Sequence, residues 1–162
     1  VVDKIAARGD GSRVKLPIGR VSDGTRDFSF SGLKTAMLRE FERRGVTGDP
    51  LDPDDLPADL VDLFASFQRA IVTALLTRVE DVHGEEGIRC LALSGGVAAN
   101  SELRRTLTRW GQERAVTVLL ADRALTTDNA AMIAWAGLLR SRREGPNAPP
   151  LPARSRWPLG ST

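Results

Sequence analysis

The run from Ile88 to Arg104 constrains this chain more than any other stretch. Its apolar opening, Ile88 to Leu93, has the length of a fully buried strand. Gly95 and Gly96 follow at once, and Val97, Leu103, Leu107 and Trp110 then recur at helical spacing. Strand, glycine turn and helix is the geometry in which backbone N–H groups and a helix N-terminus face an anionic ligand. Glycine suits such a turn because a side chain would hold a phosphate or ribose away from the backbone. Taken alone, the glycine pair favours a tight turn without a ligand.

The rest of the chain reads as α/β. Val1 to Arg8 reads as the end of a helix, with Val2, Ile5 and Ala6 on one face and Gly9 as the stop. Asp3 reads there as solvated or N-terminal charge. Residues 9–26 lack periodicity and read as loop, with a short strand over Val14 to Leu16. Phe28 and Phe30 alternate with Ser29 and Ser31 like a half-buried strand, and a helix follows from Gly32 to Arg44. Its apolar face is Leu33, Met37, Leu38 and Phe41, with Lys34 exposed. Pro50, Pro53 and Pro57 make residues 45–57 an acidic, turn-rich linker.

The longest helical pattern spans Leu56 to His83, where Leu60, Leu63, Phe64, Phe67, Ile71, Leu75, Leu76 and Val79 form a core stripe. Gln68 lies beside the stripe, and His83 reads as a solvated cation at the helix end. Val116 to Leu120 is a second buried-strand candidate. A final helix carries Ala130, Met132, Ile133, Trp135, Ala136, Leu138 and Leu139, with Thr127 or Asp128 as its cap. That cap is the residue-level reading of Asp128; a carboxylate offered to a divalent cation beside phosphate is the functional one. Residues 144–162, rich in proline, read as a disordered tail.

Composition narrows the class. The chain has 162 residues, enough for one domain with a core, and a net charge of only +2. That balance permits nucleic-acid contact without requiring it. Arginine clusters at Arg43-Arg44, Arg104-Arg105 and Arg140 to Arg143 read first as solvated helix ends, with phosphate contact as the alternative. No apolar run approaches the roughly 18 residues of a membrane span, so no membrane partner is expected. Cys90, the one cysteine, sits in the expected buried strand as a structural thiol, which points to a reducing cytoplasm. The opening residues lack both a signal-peptide pattern and an initiator methionine, so a processed chain or a fragment is expected.

Three stretches occur in order: Asp27-Phe28-Ser29-Phe30-Ser31-Gly32-Leu33-Lys34-Thr35, Ser94-Gly95-Gly96-Val97-Ala98-Ala99-Asn100-Ser101-Glu102-Leu103-Arg104, and Thr127-Asp128-Asn129-Ala130-Ala131-Met132-Ile133-Ala134. Together with Ala65-Ser66-Phe67-Gln68 they resemble the C-terminal half of the tRNA threonylcarbamoyladenosine transferases, once described as O-sialoglycoprotein endopeptidases. The resemblance covers roughly residues 1 to 140, and the three motifs together are specific. It implies an actin-like, sugar-kinase and heat-shock ATPase architecture of ribonuclease-H type, residues 1–143 forming the C-terminal lobe. Gly95 and Gly96 then match the turn against the nucleotide, and Asn100 matches an asparagine that binds the adenylate. Asp128 matches a metal ligand, and Asp3 a ribose-binding aspartate whose preceding Gly-Pro is absent here.

The activity implied is transfer of a threonylcarbamoyl group from threonylcarbamoyl-AMP to the adenosine beside the anticodon of tRNA. The implied cofactor is one divalent metal, iron or zinc, and bacterial members work with a paralogous actin-fold subunit and a small ATPase. Here the sequence departs from the pattern. The other metal ligands belong to a His-x-x-x-His motif, whereas His83 is the single histidine, and one carboxylate does not hold a metal tightly. The expectation is therefore part of a longer enzyme, inactive by itself. The alternative is a non-catalytic half-domain that binds a partner or tRNA. A peptidase reading fails for want of a His-Glu-x-x-His motif.

Overall fold

The computed structural model describes residues 1–19, 28–46 and 52–145. They fall into two units, Val1–Thr126 and the residues from Thr127 on, each treated by itself.

Helix α1 (Val2–Ala6) buries Ile5 and Ala6 and packs on the long helix α3 (Ala58–Glu86). Gly9 follows where a Cβ would stand 2.6 Å from the Val61 carbonyl oxygen, so only glycine lets the chain run this close over α3. The loop stays on α3: the Asp10 N–H donates to Asp62 Oδ1 at 2.7 Å and the Val14 N–H to Ser66 Oγ at 3.1 Å. That last bond explains why Val14 to Leu16 form no strand. The Val14 N–H is satisfied by a side chain of α3, while Val14 and Leu16 pack against the Met37, Leu60 and Leu63 cluster.

Phe28 to Phe30 likewise make no strand; their rings stack with centroids 6.0 Å apart ahead of α2 (Ser31–Arg43). Asp27 lies outside the described residues, as do residues 47–51 of the acidic linker. Leu33 and Met37 are buried and Phe41 packs on the same cluster, but Leu38 points away and is exposed. At the end of α2, Arg44 is not solvated. Its guanidinium binds Glu40 and reaches Asp59 of α3 at 3.3 Å.

The core lies along α3. Leu60 and Leu63 serve the first cluster; Val72, Leu75, Leu76 and Val79 serve a second with Leu103 and Leu107. By length and composition α3 could cross a membrane, with an 18-residue window of mean hydropathy 1.4. The packing of α1, α2 and α4 against it makes it instead the central helix of the first unit. It ends at Gly87, whose φ of 64° is the left-handed value that glycine adopts without strain. His83 is half-buried rather than a solvated cation. Its ring meets Trp110 edge-on at 5.4 Å, and Nδ1 lies 3.2 Å from the Ile88 carbonyl oxygen.

Strands β1 (Cys90–Leu93) and β2 (Thr117–Leu120) pair in parallel, Cys90 opposite Thr117 and Leu93 opposite Leu120, joined through α4 (Ser101–Arg114). Neither strand is fully buried. Leu91, Leu93 and Val118 pack toward α3 and α4, whereas Cys90, Ala92, Thr117 and Leu119 are exposed on the other face. Cys90 is therefore an exposed thiol, because α3 and α4 pack on the opposite face of this sheet.

The second unit is α5 (Ala130–Glu144). Its cap is Asn129, whose Oδ1 accepts from the Met132 N–H at 2.9 Å, rather than Thr127 or Asp128. None of its residues is buried; Ile133 and Trp135 are among the most exposed apolar side chains. Residues 146–162 of the expected tail lie outside the described residues.

Candidate functional site

The polar constellation of the first unit gathers where α4 begins, just beyond the C-terminal end of β1. After Leu93 the chain turns through Gly95, at φ 87°, and enters a single 3-10 turn, Gly96–Ala99. A Cβ built on Gly95 or Gly96 would meet nothing within 4 Å, so the space over this turn is open. Asn100 then leaves the turn in extended conformation and caps α4, its Oδ1 accepting from the Leu103 N–H at 2.9 Å. This satisfies one of the N–H groups that a helix start leaves without a partner.

A second cap comes from the far end of the sequence. Asp3 Oδ2 accepts from the Ser101 N–H at 3.0 Å and Asp3 Oδ1 from Ser101 Oγ at 2.8 Å. A carboxylate also suits the positive end of the α4 macrodipole. Asp3 is thus neither solvated nor a cap of its own helix: α1 delivers it to α4. Asn100 completes the cluster, its Nδ2 donating to Gln68 Oε1 of α3 at 2.8 Å.

Of these groups Gln68 and Ser101 line a cleft of about 400 Å³, with Ala6, Gly9, Gly11 and Arg105 among its other walls. Small residues from α1 and its loop give the cleft its width. Arg69, Arg105 and Glu102 supply charge at its wall. Nearby, Ser12 donates from both its N–H and its hydroxyl to Asp10, and with Arg13 and Arg69 beside it this holds the Asp10 carboxyl below its ordinary value.

Arg104 is no solvated helix end either. Its Nε donates to the Ala98 carbonyl at 2.5 Å and its terminal nitrogen to the Ala121 carbonyl, so one side chain ties the turn after β1 to the chain after β2. In open α/β sheets this edge, outside the carboxyl ends of the strands, is where ligands bind.

The structure therefore brings Asp3 and Asn100 together at the start of α4, with Gly95 and Gly96 in the turn that leads there. Asp128 belongs to the second unit, where it is exposed. Among the described residues no group of three or more His, Cys, Asp or Glu gathers, so the residues present do not fit a complete metal centre. Sequence reasoning missed the roles of Ser101, Gln68 and Arg104. A polar residue beside an apolar stripe is the only local sign Gln68 gives, and nothing local marks Arg104.

Fold and site define an α/β protein with a βαβ unit and a doubly capped helix at its polar cleft. The chain belongs to the tRNA N6-adenosine threonylcarbamoyltransferase family, whose model matches residues 1–135. It is 41% identical over 167 residues to the tRNA N6-adenosine threonylcarbamoyltransferase of Synechococcus sp. (strain CC9605), covering 98% of this chain and 44% of that protein. Those of Gloeobacter violaceus and Cereibacter sphaeroides (strain ATCC 17025 / ATH 2.4.3) are 43% and 40% identical over 98% of this chain, covering 43% and 44% of their own lengths. The chain thus spans less than half the length of these relatives, and it matches their C-terminal half.

Proposed function

We propose that this chain is the C-terminal part of a tRNA-modifying transferase of the actin-like architecture, and that it contributes the nucleotide side of the site. In this reading the threonylcarbamoyl-AMP substrate lies over the Gly95–Gly96 turn, against Asn100 and Asp3. The observation that carries it is the meeting of Asp3 with Ser101, next to Asn100, across 98 positions of sequence. Family membership and the open space above Gly95 and Gly96 support the same placement.

The reaction moves an acyl group. The exocyclic amine of the tRNA adenosine attacks the threonylcarbamoyl carbonyl carbon; a C–N bond forms, the C–O bond to AMP breaks, and the amine releases a proton. An aromatic amine is a weak nucleophile, so positioning and charge stabilisation carry most of the rate. This chain's contribution is to fix the leaving AMP: the caps hold α4, and its N-terminus and the glycine turn face the adenylate. tRNA, a paralogous actin-fold subunit and a small ATPase are the partners this reading implies, in the cytoplasm. Among the described residues no group of His, Cys, Asp or Glu completes a metal site, and in this reading the chain works only with the rest of such an enzyme.

The experiment is titration of the purified chain with AMP, followed by two-dimensional NMR. Wild type should show shifts at Gly95, Gly96 and Asn100. Gly96→Val should keep the fold, because its side chain enters open space, yet weaken AMP binding at least about tenfold. Equal binding by both proteins, or shifts confined elsewhere, would overturn the placement. Modification of tRNA by the chain with no other polypeptide would overturn the division of labour.

A further inference from the structure

The hydrogen bonds at the start of α4 fix the orientation of two side-chain amides, one after the other. The Leu103 backbone N–H can only donate, and it donates to Asn100 at 2.9 Å, so the asparagine oxygen must lie there. The nitrogen of Asn100 therefore faces Gln68, and the group it meets, 2.8 Å away, must be the Gln68 oxygen. What Gln68 has left to donate is its Nε2, with two N–H groups that face away from the Asn100 bond. That nitrogen makes no hydrogen bond among the described residues, and it is not sealed from solvent: Gln68 is 9% exposed, which leaves its donors within reach of water. Gln68 lines the 400 Å³ cleft beside Ser101, Arg69 and Arg105. A ligand that displaced the water at this amide would have to accept from it, or the donors would be left without a partner.

We propose that Gln68 is a specificity-determining residue of the cleft, locked by Asn100 and Leu103 into presenting its N–H donors to an acceptor atom of the bound nucleotide. This rests on the placement of adenylate proposed above. The backbone of α4 thus dictates, through two amides, the hydrogen-bonding character that the cleft shows its ligand. A ligand group that can only donate would meet two N–H groups and be rejected, because the glutamine cannot turn without breaking the Asn100 bond. Arg69 adds cationic charge on the same wall, where Arg105 is paired with Glu102, and this favours an anionic ligand carrying the acceptor.

The probe is AMP, measured by calorimetry and NMR against wild type, Gln68→Glu and Gln68→Leu. Glu at position 68 still accepts from Asn100, so the fold and the α4 cap persist, as the melting midpoint will report. It has lost its donors, and AMP should bind about tenfold more weakly or worse. Lowering the pH from about 8 to about 5 should narrow the gap to wild type, since a protonated carboxyl regains one donor. An ionised carboxylate at position 68 would also repel the phosphate of AMP, so uncharged adenosine is titrated in parallel. It should show the same loss and the same narrowing, and equal adenosine binding by wild type and Gln68→Glu at all pH values would overturn the donor role. In wild type the Gln68 side-chain amide resonance should shift with AMP along the same saturation curve as Gly96, a readout independent of any variant's folding. If wild type binds AMP but the Gln68 amide stays still, or Gln68→Glu binds equally at all pH values, the role of Gln68 is overturned and the placement stands. If wild type binds no AMP, the placement falls and this role with it.

Discussion

Single side chains do unequal work at the start of α4. Asp3 and Asn100 each satisfy a backbone N–H there, and Asp3 also takes the Ser101 hydroxyl. Asp3→Ala should lower unfolding free energy by about 1 kcal/mol, the usual cost of losing a cap, read from urea denaturation. Glu40 gives a pH signature. Hydrogen bonds from Arg43 and then Arg44 hold its carboxyl below the ordinary 4.5. A depressed carboxyl adds stability above its unfolded value and loses it as the pH falls through the folded one. The melting difference between wild type and Glu40→Gln should therefore be steady near neutrality and shrink once the pH drops below 4.5. It should be small, because solvent screens this pair. Of these residues, Asn100 and Asp3 are both marked only by family resemblance, and the cap formed by Asn100 is not read from the sequence. The partner of Asp3 lies in a different helix, and no local pattern encodes that.

At the level of elements, α3 runs three residues past His83, where its helical pattern stops, and α3 and α4 end on different residues in one conformation. Both helices stop on a left-handed residue, Gly87 at φ 64° and Ala115 at φ 55°. Glycine adopts that conformation freely, whereas a Cβ adds strain. Ala115→Gly should accordingly stabilise the protein by roughly 0.5–1 kcal/mol, seen as a rise in melting midpoint with the spectrum unchanged. The helices were legible because their apolar residues recur at three and four over long runs. The short extended segments misled. Alternation at Phe28 and Phe30 came from two rings stacking on one side of irregular chain, and Val14 to Leu16 gave its backbone bonding to a serine hydroxyl.

Across the whole molecule, burial was the hardest property to read. Apolar runs in β1 and β2 look like strands covered on both faces, yet periodicity states composition and not how many layers surround it. Cys90, Ala92, Thr117 and Leu119 stand exposed as a result. The Cys90 thiol should therefore react stoichiometrically with a disulfide reagent in the native state, without denaturant; protection until unfolding would contradict the exposed face. The site shows the same divide. Its glycines and Asn100 form one continuous stretch that family resemblance picks out, while Gln68 and Arg104 act through partners that only folding supplies. The Asp3–Ser101 pair also sets an order of events. Asn100 can cap α4 as soon as the helix forms, being its immediate neighbour. Asp3 must close a loop of 98 positions first, a long-range contact of the kind that forms late. The amide of Ser101 is then a clock for the N-terminal segment: in pulsed hydrogen exchange during refolding, it should gain protection after Leu103, when the chain's first helix comes home.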